Sequence, residues 1–180
     1  MIALTLIALL ATPPAERVGA FVEGGAGPSL CGGHGDVDCD GAGVGVAFEL
    51  RGGYRPLPYL AIAGHLASAT LPADDVPTGQ LWFVGPEVMG VLPLAPVDLQ
   101  LGLAVGYNQT QGTHGDYGGF GALRARLGAR VSVIDRLYLG GDYGLLIPHT
   151  SDTVRVGAQR YHIETAWLHQ VMVVAGVPFW

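Results

Sequence analysis

Residues 31–41, CGGHGDVDCDG, gather more ligand-type side chains than any other stretch of the chain. Asp36, Asp38 and Asp40, followed by Gly41, match the first half of a calcium loop, in which alternate carboxylates converge on one hard cation. The glutamate that would close such a loop is missing, since Ala47 holds its position and Glu49 comes two residues late. Cys31, His34 and Cys39 offer zinc fewer ligands than a closed tetrahedral site takes. In an oxidising compartment the two cysteines would instead close a small disulfide loop, Cys31 to Cys39. No metal site and no cofactor are therefore expected, with calcium on Asp36, Asp38 and Asp40 as the alternative to a solvated acidic loop. His65 and Ser68 are residue types of a base and a nucleophile, yet a spacing of three along a strand puts them on opposite faces. No catalytic residue is assigned. The GxG patterns open no helix, which excludes a nucleotide site of that kind. With no lysine and a net charge of −6, the chain offers no basic surface for nucleic acid.

A different chemistry lies in residues 121–133, GALRARLGARVSV. Read with period two, Leu123, Ala125, Leu127, Ala129, Val131 and Val133 share one face, and Arg124, Arg126 and Arg130 share the other. Three arginines on one strand face need either bulk water or an enclosed polar interior. Which of these holds decides what the molecule is.

The elements around the arginines narrow the choice. Hydrophobic residues make up 49% of the chain and charged residues only 13%, too few to cover the outside of a soluble fold of this size. No run approaches the roughly 20 apolar residues of a membrane-spanning helix. Residues 1–15, MIALTLIALLATPPA, resemble the apolar core of a secretory signal cut after Ala15; they lack its basic n-region, as a truncated or misassigned start would. From residue 16 to 180 the chain alternates between glycine-punctuated apolar runs and breaks, without a helical period. The runs are 17–30, 41–54, 59–70, 81–94, 99–108, 121–133, 137–147 and 161–180. Pro86 and Pro93 predict a bulge or frayed end in the fourth. Breaks after the odd-numbered runs are long and polar, and those after the even-numbered runs are tight. An up-and-down barrel would place all long loops at one end and all short turns at the other.

Ten charged residues fall inside these runs: Arg17, Glu23, Glu49, Arg51, Glu87, Arg124, Arg126, Arg130, Asp142 and Glu164. Five are acids and five are bases, so the net negative charge belongs to loops, turns and ends. A balanced set on the less apolar face predicts mutual pairing inside a closed lumen, because buried charges are costly unless paired. Arg124, Arg126 and Arg130 are expected to pair with acids such as Glu49, Glu87, Asp142 or Glu164. A soluble lipocalin-like ligand-binding barrel would invert the arrangement and is the poorer match to so few charges. The expected fold is all-β, an eight-stranded antiparallel up-and-down transmembrane β-barrel.

The eight runs, the unequal breaks, the signal-like start and the aromatic-terminated last run VMVVAGVPFW resemble the small outer-membrane β-barrels of the OmpA/OmpX type. The resemblance is one of pattern and spans the chain after its start. It implies the bacterial outer membrane as location, outer-membrane lipid as surroundings, and the barrel-assembly machinery as a partner through the C-terminal strand. It further implies a structural or surface-interaction role without catalysis, with an extracellular ligand met by the long loops. Lipid A deacylases, barrel enzymes that use a serine and a histidine, supply the alternative of an outer-membrane enzyme acting on lipid A or phospholipid.

Overall fold

Alternating aliphatic and small side chains give the backbone two unlike faces and no helical stripe to bury. A computed structural model of the chain describes residues 18–32, 43–73, 76–112, 115–134, 136–148, 153–156, 159–162 and 167–179. Ten strands form: β1 (Gly19–Gly32), β2 (Gly45–Leu57), β3 (Leu60–Ala73), β4 (Val76–Leu94), β5 (Val97–Gly112), β6 (Gly115–Ile134), β7 (Leu137–Ile147), β8 (Thr153–Val156), β9 (Gln159–His162) and β10 (Trp167–Phe179). Eight of them close an antiparallel barrel in the order β1-β10-β7-β6-β5-β4-β3-β2, while β8 and β9 pair with each other. The signal-like residues 1–15, and Arg17, His34, Asp36, Asp38, Cys39, Asp40 and Glu164, lie outside the described residues.

The paired residues fix the tilt. A walk around the wall from Phe21 passes Gly53, Ala63, Glu87, Ala104, Arg124, Leu146 and Leu168 and returns to β1 at Cys31, ten residues beyond its start. Ten residues of ~3.3 Å against eight spacings of ~4.8 Å give a strand tilt of roughly 40°, within the range of closed small barrels.

Three features differ from the pattern-based reading. The described parts of the polar stretches 72–80 and 109–118 are strand, since Thr70↔Gln80, Leu71↔Gly79, Gln109↔Gly118 and Thr110↔Tyr117 continue the β3–β4 and β5–β6 ladders. Backbone pairing persists where side chains no longer separate an apolar from a polar face, so alternation fades before the strand does. The last barrel strand starts at Trp167, and Tyr161 and His162 belong to the separate β8–β9 hairpin. Pro86 produces no register shift: pairing with β3 runs through it, and pairing with β5 lapses at Gly85 and Pro86 and resumes in register at Glu87. Register shifts occur elsewhere, and one of them is a bulge at Gly121, skipped between the pairs Gly106↔Ala122 and Tyr107↔Phe120 and held at a φ of 107°. That conformation is open to glycine and strained for other residues.

Outside, the wall is apolar. Val173 is 75% exposed, Leu103 63% and Leu127 59%; Leu101, Leu123 and Val171 on the same strands and Val84 and Val88 on β4 extend this face. Tyr54, Tyr59 and Phe179 are exposed at the short-turn end, and Phe48, Trp82 and Phe120 toward the other. Aromatic girdles at both edges of an apolar band mark a membrane-spanning barrel. Tyr138 does not join them, because it is buried inside. A soluble barrel would show the inverse surface.

Candidate functional site

The residues that alternate with the apolar wall point inward and form layers. Along β4, from the long-loop end, they are Leu81, Phe83, Gly85, Glu87, Met89 and Val91; along β7, from the short turn, they are Tyr138, Gly140, Asp142, Gly144 and Leu146. Charge thus occupies the middle of the lumen, with apolar side chains above and below. The upper layer packs Leu81, Phe83, Leu146 and Leu168 against small alanines of the wall. The lower one holds Phe21, Ala61, Ala63 and Met89.

Between these layers four arginines meet four carboxylates, all nearly or wholly buried. Arg51 reaches Glu23 at 2.9 Å, Glu49 at 2.7 Å and Asp142 at 2.6 Å. Arg124 donates to Glu49 at 2.7 Å. Arg126 donates to Glu87 at 2.9 Å, to Gln100 at 3.1 Å and to Asp142 at 3.2 Å. Arg130 donates to Glu23 at 3.0 Å and grips Asp142 with two nitrogens at 2.6 and 2.8 Å. His65 stands among them, its Nδ1 3.1 Å from Glu87 and its Nε2 3.6 Å from Glu49. The formal charges of arginines and carboxylates cancel, which a dry interior requires. All three arginines of GALRARLGARVSV enter this network, and so do Glu23, Glu49, Arg51, Glu87 and Asp142.

Glycines make the network possible. A Cβ at Gly102 would collide with the Glu87 carboxylate, one at Gly128 with that of Asp142, and one at Gly144 would press on the Arg124 guanidinium at 3.0 Å. Each long charged side chain therefore lies across a neighbouring strand that has no side chain of its own there.

A second, separate pair was not foreseen. Arg55 donates to Asp98 at 2.9 Å and also to the Pro58 carbonyl, at the short-turn mouth of the lumen. The pattern-based reading put both residues in turns, yet Arg55 has the parity of Glu49 and Arg51, and Asp98 that of Gln100 and Gly102. Parity was the available signal.

The other expected sites fare differently. His65 is buried inside, and Ser68, which accepts from Gln80 Nε2 at 3.3 Å, is on the opposite strand face, so the two form no dyad. Among the described residues no group of His, Cys, Asp or Glu is arranged to hold a metal ion. Cys31, at the outer end of β1, is disulfide-bonded.

No protein-family model matches the chain, and no curated protein matches it in sequence. Solved structures do match its fold. Neisserial surface protein A (NspA) superposes with a TM-score of 0.65 at 15% identity, over 89% of this chain and 97% of that one. Ail, the attachment invasion locus protein of Yersinia pestis, in complex with the heparin analogue sucrose octasulfate, gives 0.53 at 13% identity, over 90% and 97%. With its closed eight-stranded antiparallel wall, apolar exterior and ionic lumen, the chain has the fold of the small outer-membrane β-barrels.

Proposed function

We propose that this protein is a non-enzymatic barrel of the bacterial outer membrane that presents interaction surfaces on its external segments and conducts no solute. The apolar lid of Leu81, Phe83, Leu146 and Leu168 over a neutralised ionic core is the observation that carries this reading. An ion entering from outside would have to cross that lid and then displace arginines already bonded at 2.6–3.0 Å. Catalysis gains no support, since neither His65 nor His169 has a serine partner among the described residues. Residues 1–15 are proposed as the export leader, Cys39 as the partner of Cys31, and the barrel-assembly machinery as the receptor of β10 with its terminal Phe179.

The external partner is constrained by charge. Asp36, Asp38, Asp40, Asp74, Asp75, Asp116 and Asp152 belong to the outer segments by sequence, against only Arg155 and Arg160. A cationic or neutral extracellular ligand fits this balance better than a sulfated polyanion such as the one in the Ail complex.

The refolded protein should partition with membranes and migrate faster on a gel unheated than boiled. In a planar bilayer it should show no steady unitary conductance. A reproducible open channel in the intact protein would overturn the sealed-lumen reading, and an aqueous, heat-insensitive protein would overturn the membrane reading.

A further inference from the structure

On the outer wall, Tyr143 Oη and His169 Nδ1 are 2.5 Å apart, their rings tilted by 33° with centroids 6.0 Å apart. A polar pair stands out on a face built mostly for hydrocarbon. Its height explains it. His169 lies ten residues up β10 from Phe179, which marks the lower aromatic edge. Ten residues of ~3.3 Å at a tilt of ~40° climb about 25 Å, the height of the apolar band of such barrels. The pair therefore sits where acyl chains give way to headgroups.

We infer that Tyr143 and His169 form a wall site for the phosphate group of an outer-leaflet lipid headgroup. In the tautomer that carries its proton on Nε2, Nδ1 accepts from the Tyr143 hydroxyl and Nε2–H is left to donate. Among the described residues Nε2 has no hydrogen-bond partner, and it lies over Gly32, where any Cβ would collide with it. Leu30 and Leu145, paired with His169 on either side, supply apolar flanks for an acyl chain. Among the described residues, His169 is the one imidazole on the lipid-facing side of the strand wall, since His65 points into the lumen. The acidic external segments repel a free anion, whereas a lipid phosphate is held at this height by its own acyl chains. This inference rests on the lipid-facing wall argued above.

Native mass spectrometry of the full protein released from maltoside micelles would test it, with phosphatidylglycerol and diglucosyl diacylglycerol as competing probes. The wild type should retain the phospholipid about tenfold better, a ratio worth ~1.4 kcal/mol and the size of one hydrogen bond. His169→Leu and Tyr143→Phe should each abolish that preference while keeping the heat-dependent gel shift; Tyr143→Phe removes only a hydroxyl. Equal retention of the two lipids by the wild type, or a preference that survives both substitutions, would overturn the site. Loss of the preference on adding inorganic phosphate would overturn the lipid and point to the free ion. A barrel that inserts normally but shows no headgroup preference refutes this site alone, and failure to insert refutes the reading beneath it.

Discussion

Removing the negative charge of Asp142 is the most direct test of whether the lumen is dry. This carboxylate accepts from Arg51 at 2.6 Å, from Arg126 at 3.2 Å and twice from Arg130 at 2.6 and 2.8 Å. Asp142→Asn keeps the shape and one acceptor oxygen, but it points an amide donor at guanidinium groups and leaves a surplus positive charge. Breaking a buried ion pair from one side costs about 3–5 kcal/mol where water cannot enter. A loss of about 4 kcal/mol, nearly a thousandfold in the folding equilibrium, is therefore expected. Urea titration in phospholipid vesicles, followed by tryptophan fluorescence and the gel shift, would measure it. Adding Arg130→Gln restores neutrality, so the double variant should cost at least ~2 kcal/mol less than the two single changes together. If Asp142→Asn costs less than ~1 kcal/mol, water reaches the carboxylate and the lid does not seal.

The wall and the packing can be probed separately. Leu103→Arg places a charge on a side chain 63% exposed to the surroundings; near the middle of a bilayer this should cost about 2–4 kcal/mol in vesicle-based unfolding, against almost nothing on a water-facing surface. Phe83→Ala opens the lid and should lower stability by about 3–5 kcal/mol in the same titration. Gly128→Leu forces a side chain into the space of the Asp142 carboxylate, and the gel shift of the refolded protein should be largely lost.

Much of this was legible in the sequence because lipid and lumen demand opposite side chains, so period two survives wherever both are present. The faces of residues 121–133, the inward direction of Glu49, Arg51 and Asp142, and the strand count of the barrel follow from that alternation. It fails beyond the lipid band, where Thr70 to Ala73 and Gln109 to Gly112 remain paired although neither face is distinctly apolar. The layering of the lumen was hidden for another reason. Phe83 and Glu87 share one strand face, and only closure of the barrel sets Phe83 beside Leu146 and Leu168 and Glu87 beside Arg126. Partner choice depends on shear as well as parity: Arg130 meets Glu23 because the wall returns to β1 ten residues along.

That closure also bears on how the chain folds. Arg130 on β6 holds Glu23 on β1, Arg124 on β6 holds Glu49 on β2, and Asp142 on β7 holds Arg51 on β2. These contacts span the lumen and join the first third of the chain to its second half, so none is local. A half-inserted sheet would hold arginines and carboxylates near hydrocarbon without their counterions, a state far above both the unfolded and the finished barrel. The network thereby penalises partial structures and couples closure of the β1–β10 seam to neutralisation of the interior. Insertion becomes a single cooperative event governed by loops of high contact order.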